Sequence, residues 1–422
     1  MKLYNLFPRL CGPFEAWTPH LERAADLGFD WVFVNPIQKR GRSDSLYSIA
    51  DYFAISRDFL RPGSRTPHKR QVRAMIAEAE HLGMRVMIDL VINHCAIDAK
   101  LVRDHPEWFV REGQQVANAA CVEADGTRVV WEDLAQFDWH HTSDREGLFG
   151  YCREVVEHLI ALGFRGFRCD AAYQVPAAVW HRLIEHVHRD HPEVVFVAET
   201  LGCSPEQTRE TAAAGFDAIF NSGKWWDLAS PWLLEQYDAT RTLVPSIGFP
   251  ESHDTARLYA ESGGNPHALE QRYLFAALFS GGVLMPIGYE FGFAQPLDVV
   301  TTRPADWEAT NLDLGNFIRH VNAVKDAHPV FQGEGPVRII PLDNPAVLLL
   351  HKRTEDGAGE ALIVLNKDVE QRQWLRIDDL YRHLEHPAPL RDRSFQWAMD
   401  YLPTPFEFEL GPGMARVLVT GD

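Results

Sequence analysis

The stretch LGFRGFRCD at residues 162–170 joins the end of a predicted helix to a short apolar strand through Gly163. Three further stretches share this arrangement: LGFDWVFVN at residues 27–35, LGMRVMID at 82–89 and AGFDAIFN at 214–221. In each, the glycine is expected to end the helix in the left-handed conformation, and the apolar residue after it to pack on the last turn. The strands that follow are mostly apolar rather than alternating, which is typical of a parallel sheet buried on both faces.

The segments before these glycines carry helix-initiation patterns. Thr18-Pro19 and Thr66-Pro67 each place a capping hydroxyl before a proline that suits the first helical position. Ser204-Pro205-Glu206-Gln207 is typical of a capping box. Helices are therefore predicted in front of strands two, three and six.

Eight strands alternate with helices in the first part of the chain. Besides the four units above, apolar strands are predicted at residues 3–7, 194–199, 246–249 and 282–287, with a last helix near 312–324. Eight alternating β and α units predict a closed (β/α)8 TIM barrel of the α/β class rather than an open doubly wound sheet. The sequence contains no GxGxxG or P-loop that would favour the open sheet.

Two segments depart from this alternation. Residues 95–138, between strand three and the next helix, have mixed polarity and little periodicity, and their length predicts a functional insertion above the catalytic face. After about residue 330 the pattern becomes all strand. We therefore predict a catalytic barrel of residues 1–94 and 139–330, an insertion of 95–138, and a C-terminal antiparallel β domain of 331–422.

Composition and charge exclude several classes of protein. The 422 residues carry a formal net charge of −18, which argues against a nucleic-acid partner because phosphate backbones bind clustered cations. No run approaches the roughly 18 apolar residues of a membrane span, and the first residues, MKLYNLFP, lack the apolar run of a leader peptide. The six scattered cysteines form no CxxC pair. We expect a cytoplasmic protein without membrane contact; the oligomeric state stays open.

Acidic residues stand at the ends of four predicted strands. They are Asp89 at strand three, Asp170 at strand four, Glu199 at strand five, and Asp254 just beyond strand seven, where it follows His253. Barrel enzymes carry their catalytic residues at the C-terminal ends of the strands. A single acid in such a position is usually a solvated loop residue, but four that converge by barrel geometry indicate an active site.

Neighbouring residues suggest a role for each acid. Arg168 and Asp170 are two positions apart on a strand and point to the same side, so the arginine is expected to keep the carboxylate ionised as a nucleophile requires. Glu199 has no cation adjacent in sequence, and a raised pKa is expected, which suits a general acid/base. Asp254 is interpreted as a third carboxylate that binds substrate hydroxyls. Such a pair performs glycoside chemistry, and a retaining enzyme should hold the two carboxyl groups about 5–5.5 Å apart.

Four short motifs at these positions resemble those of the α-amylase superfamily, glycoside hydrolase family 13. They are DLVINH at residues 89–94, GFRCDAA at 166–172, AE at 198–199 and SHD at 252–254. The resemblance implies an α-glucan or oligosaccharide substrate, with Asp170 as the nucleophile, Glu199 as the acid/base and Asp254 as a carboxylate that stabilises the transition state.

The same resemblance implies a set of substrate-binding residues. Arg168 would position the nucleophile, and His94 and His253 would bind sugar hydroxyls beside Asp89. Tyr47 would stack on the sugar ring. Asn93 matches a calcium ligand in many amylases, but residues 95–138 show no obvious set of partner oxygens. No metal and no cofactor are therefore predicted.

Other details resemble one branch of this superfamily. HPEWF at residues 105–109 and FVAE at 196–199 are most similar to the bacterial maltosyltransferases that use maltose 1-phosphate. Those enzymes hold phosphate with a lysine and a tyrosine of the insertion, and RVVWED at residues 128–133 lacks both. Tyr173 and Gln174 stand where many α-amylases have a Lys-His pair, which argues against a standard endo-amylase, and Ser252 replaces the asparagine usual before His253.

The leading interpretation is a retaining α-glycoside hydrolase or transglycosylase that acts on α-linked gluco-oligosaccharides by double displacement. One alternative keeps the chemistry but takes the glycosyl group from a sugar 1-phosphate. The other is a non-catalytic carbohydrate-binding or partner subunit, although such relatives lose members of the catalytic triad and this chain retains all three.

Three further features have a functional and a structural interpretation. Trp225-Trp226 after strand six either line a sugar site or pack on the barrel. Lys224 either meets a substrate phosphate or is a solvated surface lysine, and the second is favoured. His186, His188 and His191 lie at a predicted helix C-terminus, where histidine suits the helix dipole better than a metal site.

Overall fold

A closed barrel of eight parallel strands forms the centre of the computed structural model, which describes residues 1–122 and 127–421. The strands follow one another around the barrel in chain order, and the eighth closes on the first with Val283 opposite Lys2. The barrel strands are Lys2–Leu6, Trp31–Val34, Arg85–Leu90, Gly166–Cys169, Val195–Ala198, Ala218–Phe220, Ser246–Gly248 and Gly282–Pro286. The predicted TIM barrel is confirmed.

Helices surround the barrel and connect its strands. They are Pro8–Cys11, Thr18–Asp26, His68–His81, Lys100–Asp104, Arg145–Leu162, Ala177–Asp190, Pro205–Ala212, Trp232–Thr240, Leu258–Glu261, Pro266–Phe279 and Gly315–Ala327. The four glycines of the repeated unit, Gly28, Gly83, Gly163 and Gly215, all have positive φ angles, between 83° and 120°. They end their helices as predicted.

The helix starts were predicted with mixed success. Ser204 and Gln207 form the predicted capping box. Thr18 does not cap its helix: a 3-10 turn leads into that helix, Trp17 already has helical dihedrals, and Thr18 is the first helical residue. Thr66 also makes no cap, because the helix begins only at His68, after Pro67.

Large apolar side chains fill the lower part of the barrel interior. Trp31 and Met87 approach Gly166 so closely that a Cβ atom there would lie 2.8 Å and 2.9 Å from their side chains. Only glycine fits that position without displacing its neighbours. Because alternate residues of a strand face the same side, Arg168 and Asp170 lie directly above this packed layer, on the way to the C-terminal mouth of the barrel.

The segment after strand three is more regular than its sequence indicated. His94–Ala96, Arg128–Gln136 and Asn118–Val122 form an antiparallel sheet in that spatial order, and a small hairpin pairs Arg111–Glu112 with Gln115–Val116. The pairing register shifts between Trp131 and Ala135. This irregularity, together with the exposure of the sheet, explains why the sequence shows little alternation there.

A second short hairpin follows strand two, with Gln38–Arg40 paired to Ile49–Ile55. The loop between its two strands contains Tyr47, which lies at the mouth of the barrel. In the described part of the chain, no helix combines the length and apolar character that crossing a membrane requires.

The C-terminal region is antiparallel β structure, as predicted. Five strands form one sheet, in the order Val337–Ile340, Val347–Arg353, Glu360–Asn366, Ala415–Thr420 and Leu390–Asp392. Gln373–Ile377 and Phe406–Leu410 pair separately. The edge strand Leu390–Asp392 was not predicted, because three residues carry no recognisable period and only their pairing with Ala415–Thr420 defines them.

Two buried lysines bind the same helix end, Lys352 from this region and Lys325 from the last barrel helix, Gly315–Ala327. The Lys352 ammonium donates to the carbonyl oxygen of Phe279 at 2.6 Å, and that of Lys325 donates to Ala277 and Ser280 at 2.8 and 2.7 Å. These carbonyls lie at the C-terminal end of the helix Pro266–Phe279, where cations are stabilising.

Candidate active site

One guanidinium group connects all four predicted carboxylates at the C-terminal mouth of the barrel. Arg168 Nη1 donates to Asp89 Oδ1 and to Asp170 Oδ1, both at 2.8 Å. Its Nη2 lies 2.8 Å from Glu199 Oε1 and 3.8 Å from Asp254 Oδ2. The arginine side chain is only 4% exposed. These acids are far apart in sequence, but the ends of their strands bring them together in one cluster.

Tyr47 and His253 complete the cluster on the side of strand two. The Tyr47 hydroxyl donates to Asp89 Oδ2 at 2.7 Å and lies 2.6 Å from His253 Nε2. The two rings are parallel, with centroids 5.8 Å apart. Tyr47 also borders the open cleft. The structure thus places its ring beside the predicted sugar site, while its hydroxyl is held by the protein.

The hydrogen-bond pattern of His253 identifies its tautomer. His253 Nδ1 is buried and has no hydrogen-bond partner among the described residues, and burial lowers the pKa of the imidazole. A neutral ring with its proton on Nε2 fits both facts, since a bare acceptor is easier to bury than a bare donor with a charge. Nε2–H then faces Asp254 Oδ2 at 3.0 Å and the Tyr47 oxygen.

His94 lies in the wall of the cleft, as predicted. Its Nε2 is 3.2 Å from the carbonyl oxygen of Tyr47, to which it donates in the matching tautomer. Burial lowers the pKa of His94, so the ring is neutral near pH 7. Nδ1, the other ring nitrogen of His94, is then the acceptor that the ring can offer to a hydrogen-bond donor.

Asn35 belongs to this cluster and was not predicted. Its Nδ2 donates to the Tyr47 hydroxyl at 3.0 Å, and Asn5 Nδ2 donates to Asn35 Oδ1 at 2.9 Å. A signal was present in the sequence: Asn35 continues the alternation of Trp31 and Phe33, which face the barrel interior. The prediction considered only acidic side chains at the strand ends and therefore did not include this amide.

Burial dominates the electrostatics of Glu199. It raises the pKa of Glu199 to about 8, the nearby carboxylates of Asp170 and Asp254 add to the rise, and Arg168 opposes it. The predicted rise is confirmed; a cation is nonetheless in contact, because Arg168, which is not adjacent in sequence, lies on the neighbouring strand. The backbone N–H of Ala171 also donates to Glu199 Oε2 at 2.8 Å. Burial likewise raises the pKa of Asp89, to about 7, against the effect of Arg168.

The cluster opens into a cleft with a volume of about 280 Å³. Ala119, Trp131 and Leu134 of the insertion form one wall, and Tyr173 and Gln174 of the loop after strand four form another. Trp131 is 40% exposed. A mouth of this size, with polar groups at its floor and an aromatic residue at its side, fits a small ligand such as one or two sugar rings.

The remaining candidate residues lie outside this cluster. Trp226 is fully buried against the barrel, whereas Trp225 is 53% exposed. His186 contacts Glu157 and His188 contacts the carbonyl of Val194, and the described residues contain no group of three potential metal ligands. The favoured interpretation of Lys224 as a solvated lysine is wrong, since its side chain is 6% exposed.

Lys224 is instead part of an ion pair. Its Nζ lies 2.9 Å from Glu261 Oε2. This partner neutralises the ammonium, and the contact leaves little of the side chain accessible to a ligand.

Comparison with known proteins identifies relatives of both fold and sequence. A family model described as the glucanotransferase domain of glycogen debranching enzyme matches residues 1–113. The α-1,4-glucan:maltose-1-phosphate maltosyltransferase of Burkholderia pseudomallei is 29% identical over 380 residues, which are 87% of this chain and 33% of the relative. That of Mycobacterium tuberculosis is 26% identical over 408 residues, 86% of this chain and 56% of the relative.

Solved structures with the same fold cover the whole chain. An α-amylase from H. orenii superposes with a TM-score of 0.80 at 15% identity, covering 100% of this chain and 99% of its own. The α-amylase from Lactobacillus plantarum gives 0.77 at 20% identity, covering 100% and 98%. This chain has the α-amylase fold. The resemblance to the α-amylase superfamily, with a barrel similar to the maltosyltransferases, is confirmed.

The chain spans between a third and three-fifths of the length of the first curated relatives it matches, with shares of 33%, 55% and 58%. The α-amylase fold explains why its four carboxylates meet. Each ends, or closely follows, a different barrel strand, and a closed barrel directs all strand ends to one mouth. This mouth therefore holds the Asp170 carboxylate and a glutamate of raised pKa, Glu199, on one shared guanidinium.

Proposed function

We propose that this protein is a retaining α-glycoside hydrolase or transglycosylase that acts on α-linked gluco-oligosaccharides. The observation that carries the proposal is that Asp170 and Glu199 share one guanidinium while burial makes Glu199 a proton donor near neutral pH. A cytoplasmic location is part of the proposal and rests on the sequence alone.

The site residues divide the reaction between them. Asp170 attacks the anomeric carbon while Glu199 protonates the leaving oxygen, so that a glycosyl ester forms on Asp170 and the leaving sugar departs as an alcohol. Glu199 then takes a proton from water or a sugar hydroxyl, which attacks the same carbon and restores Asp170. Arg168 bonds Oδ1 of Asp170 and thereby orients the other oxygen. Asp254 and His253 would bind the ring hydroxyls.

The products of maltooligosaccharides of three to seven units test this proposal. Mass spectrometry is expected to show shortened chains from hydrolysis, lengthened chains from transfer, or both. Proton NMR of the first product should show the α-anomer, since two inversions retain configuration. A first-formed β-anomer would contradict the assignment of Asp170 as a nucleophile, and binding without any product would favour a non-catalytic carbohydrate-binding subunit.

A second candidate function is glycosyl transfer from a sugar 1-phosphate. It is favoured by one observation. Enzymes named as maltose-1-phosphate maltosyltransferases align with 86–87% of the length of this chain, at 26–29% identity. Both functions use the same displacement through Asp170 and differ only in the leaving group. Phosphate release from maltose 1-phosphate, with extension of a glucan acceptor, distinguishes the second from the first.

The raised pKa of Glu199 predicts an alkaline limit of activity. The protonated form that donates to the leaving oxygen dominates below about pH 8 and is lost above it, so kcat/KM for maltooligosaccharides should fall about tenfold per pH unit beyond that point. With a dinitrophenyl glucoside, whose leaving group departs without protonation, the rate of the first step should not fall above pH 8. A decline that already begins near pH 5 would contradict the burial effect on Glu199.

Replacing Tyr47 with phenylalanine is expected to lower kcat/KM by about 10- to 100-fold, because a buried hydroxyl that joins Asp89 to His253 is lost and its partners are left unsatisfied. Steady-state kinetics measure this effect. Tyr381→Phe, at a tyrosine 38% exposed in the C-terminal region, serves as the control and should retain the wild-type rate. Equal rates for both variants would remove Tyr47 from the site.

A further inference from the structure

Among the residues that the structure describes, the wall of the cleft carries acidic side chains and neither lysine nor arginine. Asp133, Asp170, Glu199 and Asp254 all border it, and none of the bordering residues in the described part of the chain is lysine or arginine. Residues 123–126, which are not described, read Glu-Ala-Asp-Gly and add no basic side chain by sequence. The electrostatic potential at the mouth is therefore negative, in line with the formal net charge of −18.

Two arginines that contact the rim loop around Val299 are already bound by protein groups. Arg9 Nε donates to the carbonyl oxygen of Val299 at 2.7 Å, and its Nη2 pairs with Asp44 at 2.9 Å. Arg303 Nη1 donates to the carbonyls of Val300 and Thr302 at 2.7 and 2.8 Å. Both arginines fasten the loop that ends at the rim, and neither is on the cleft wall.

Arg168 and His94 do not offer a free positive charge either. The Arg168 guanidinium is shared among Asp89 and the cleft carboxylates Asp170 and Glu199, and it does not itself border the cleft. His94 is a neutral ring near pH 7 because burial lowers its pKa. An anion that entered the cleft would thus meet Asp133, Asp170 and Asp254, for which the buried Arg168 is a shared and only partial counter-charge.

The neighbours of Glu199 define where a leaving group departs, since that group must receive the proton of Glu199. The loops that follow strands four and five contribute Ala171, Tyr173, Gln174 and Leu201 to the cleft wall that Glu199 also borders, and all four are uncharged. An aromatic ring, an amide and an aliphatic chain suit a sugar ring with its hydroxyls. A phosphate dianion needs charged or multiple N–H donors, which these residues do not provide.

The general acid also suits a sugar as the leaving group. A sugar alkoxide is a poor leaving group and requires a proton donor, which a buried Glu199 supplies.

We infer that this cleft takes an uncharged α-glucoside, whose leaving group is a sugar hydroxyl, and discriminates against a sugar 1-phosphate. The inference rests on the proposed function and specifies its donor. It separates this chain from the activity for which its maltosyltransferase relatives are named, although the sequences are similar over most of this chain.

Turnover of two donors with the same glycosyl part tests the inference. We expect p-nitrophenyl α-maltoside to be turned over with a kcat/KM at least about 100-fold higher than maltose 1-phosphate, because like charges side by side oppose binding of the dianion. Maltose 1-phosphate turned over at a comparable or higher rate would overturn the inference while leaving double displacement through Asp170 intact. Turnover of neither donor would overturn the proposed function, and the inference with it.

Binding to the inactive Asp170→Asn protein provides a readout that does not depend on the rate. Calorimetry should detect maltotriose and give an affinity for maltose 1-phosphate at least about tenfold weaker than for maltose, an effect that shrinks with added salt. Tighter binding of maltose 1-phosphate than of maltose would overturn the inference.

A positive charge placed on the cleft wall should reverse the preference. In Gln174→Lys we expect inorganic phosphate to become a competitive inhibitor of aryl maltoside turnover, whereas Gln174→Met, with a neutral side chain of similar length, should stay insensitive, like the wild type. Inhibition of the wild type by phosphate to the same degree as Gln174→Lys would show that the cleft already binds the anion and would contradict the inference.

Discussion

Asp170→Asn is expected to lower kcat by at least about 1000-fold, the order of loss seen when a covalent nucleophile is removed. The amide keeps the shape of the side chain and its contact with Arg168, but it cannot form the glycosyl ester. Arg168 keeps its bonds to Asp89 and Glu199, so the fold should survive. Turnover of aryl α-maltoside and the thermal unfolding midpoint measure the two effects separately.

The matched control for this variant is Asp190→Asn. Asp190 is exposed at the end of the helix Ala177–Asp190 and faces no part of the cluster, so the same chemical change there should leave kcat unchanged. A residual rate in Asp170→Asn within tenfold of the wild type would remove Asp170 from the role of nucleophile.

The covalent intermediate offers a direct observation. In Glu199→Gln, the second step lacks its general base, and an activated donor such as a dinitrophenyl glucoside should leave a glycosyl group on the enzyme. Peptide mass spectrometry is expected to locate the added mass on the peptide that contains Asp170. An adduct on Asp254 instead would exchange the roles of the two residues.

Arg168→Met is expected to lower the free energy of unfolding by about 3–5 kcal/mol, the usual cost of removing one partner from a buried ionic cluster. The substitution keeps most of the buried volume but leaves Asp89, Asp170 and Glu199 close together without a cation. Activity should fall at least about 100-fold as well, because the carboxylates are no longer held in place. Urea unfolding and aryl maltoside turnover give the two values.

Acid should partly rescue the stability of Arg168→Met. Protonation removes the repulsion among the uncompensated carboxylates, so the difference from the wild type should shrink as the pH falls. Arg182→Met is the matched surface control: Arg182 makes a bidentate pair with Glu146 at 2.7 Å, but both side chains are solvated, and little change is expected. An equal loss in both variants would show that burial of the cluster has no special cost.

The sequence determined the architecture because the decisive signals are local. A glycine that ends a helix, a buried apolar strand and their recurrence act over about ten residues, and eight such units leave the closed barrel as the arrangement that buries every strand. The alternation of Gly166, Arg168 and Asp170 likewise follows from the period of two in one strand. The acids at the strand ends could therefore be identified before any contact was known.

The tertiary structure alone decided which groups touch. Arg168 reaches Asp89 across 79 positions and Tyr47 reaches His253 across 206, and no local pattern encodes either distance. The rise in the pKa of Glu199 was predicted, but its contact with Arg168 was not, because the two residues are far apart in sequence. The sequence also could not show that the described cleft wall has no lysine or arginine, because only folding determines where the 41 basic residues lie. A residue's type is written in the chain, but its surroundings arise only when distant strands close into one cylinder.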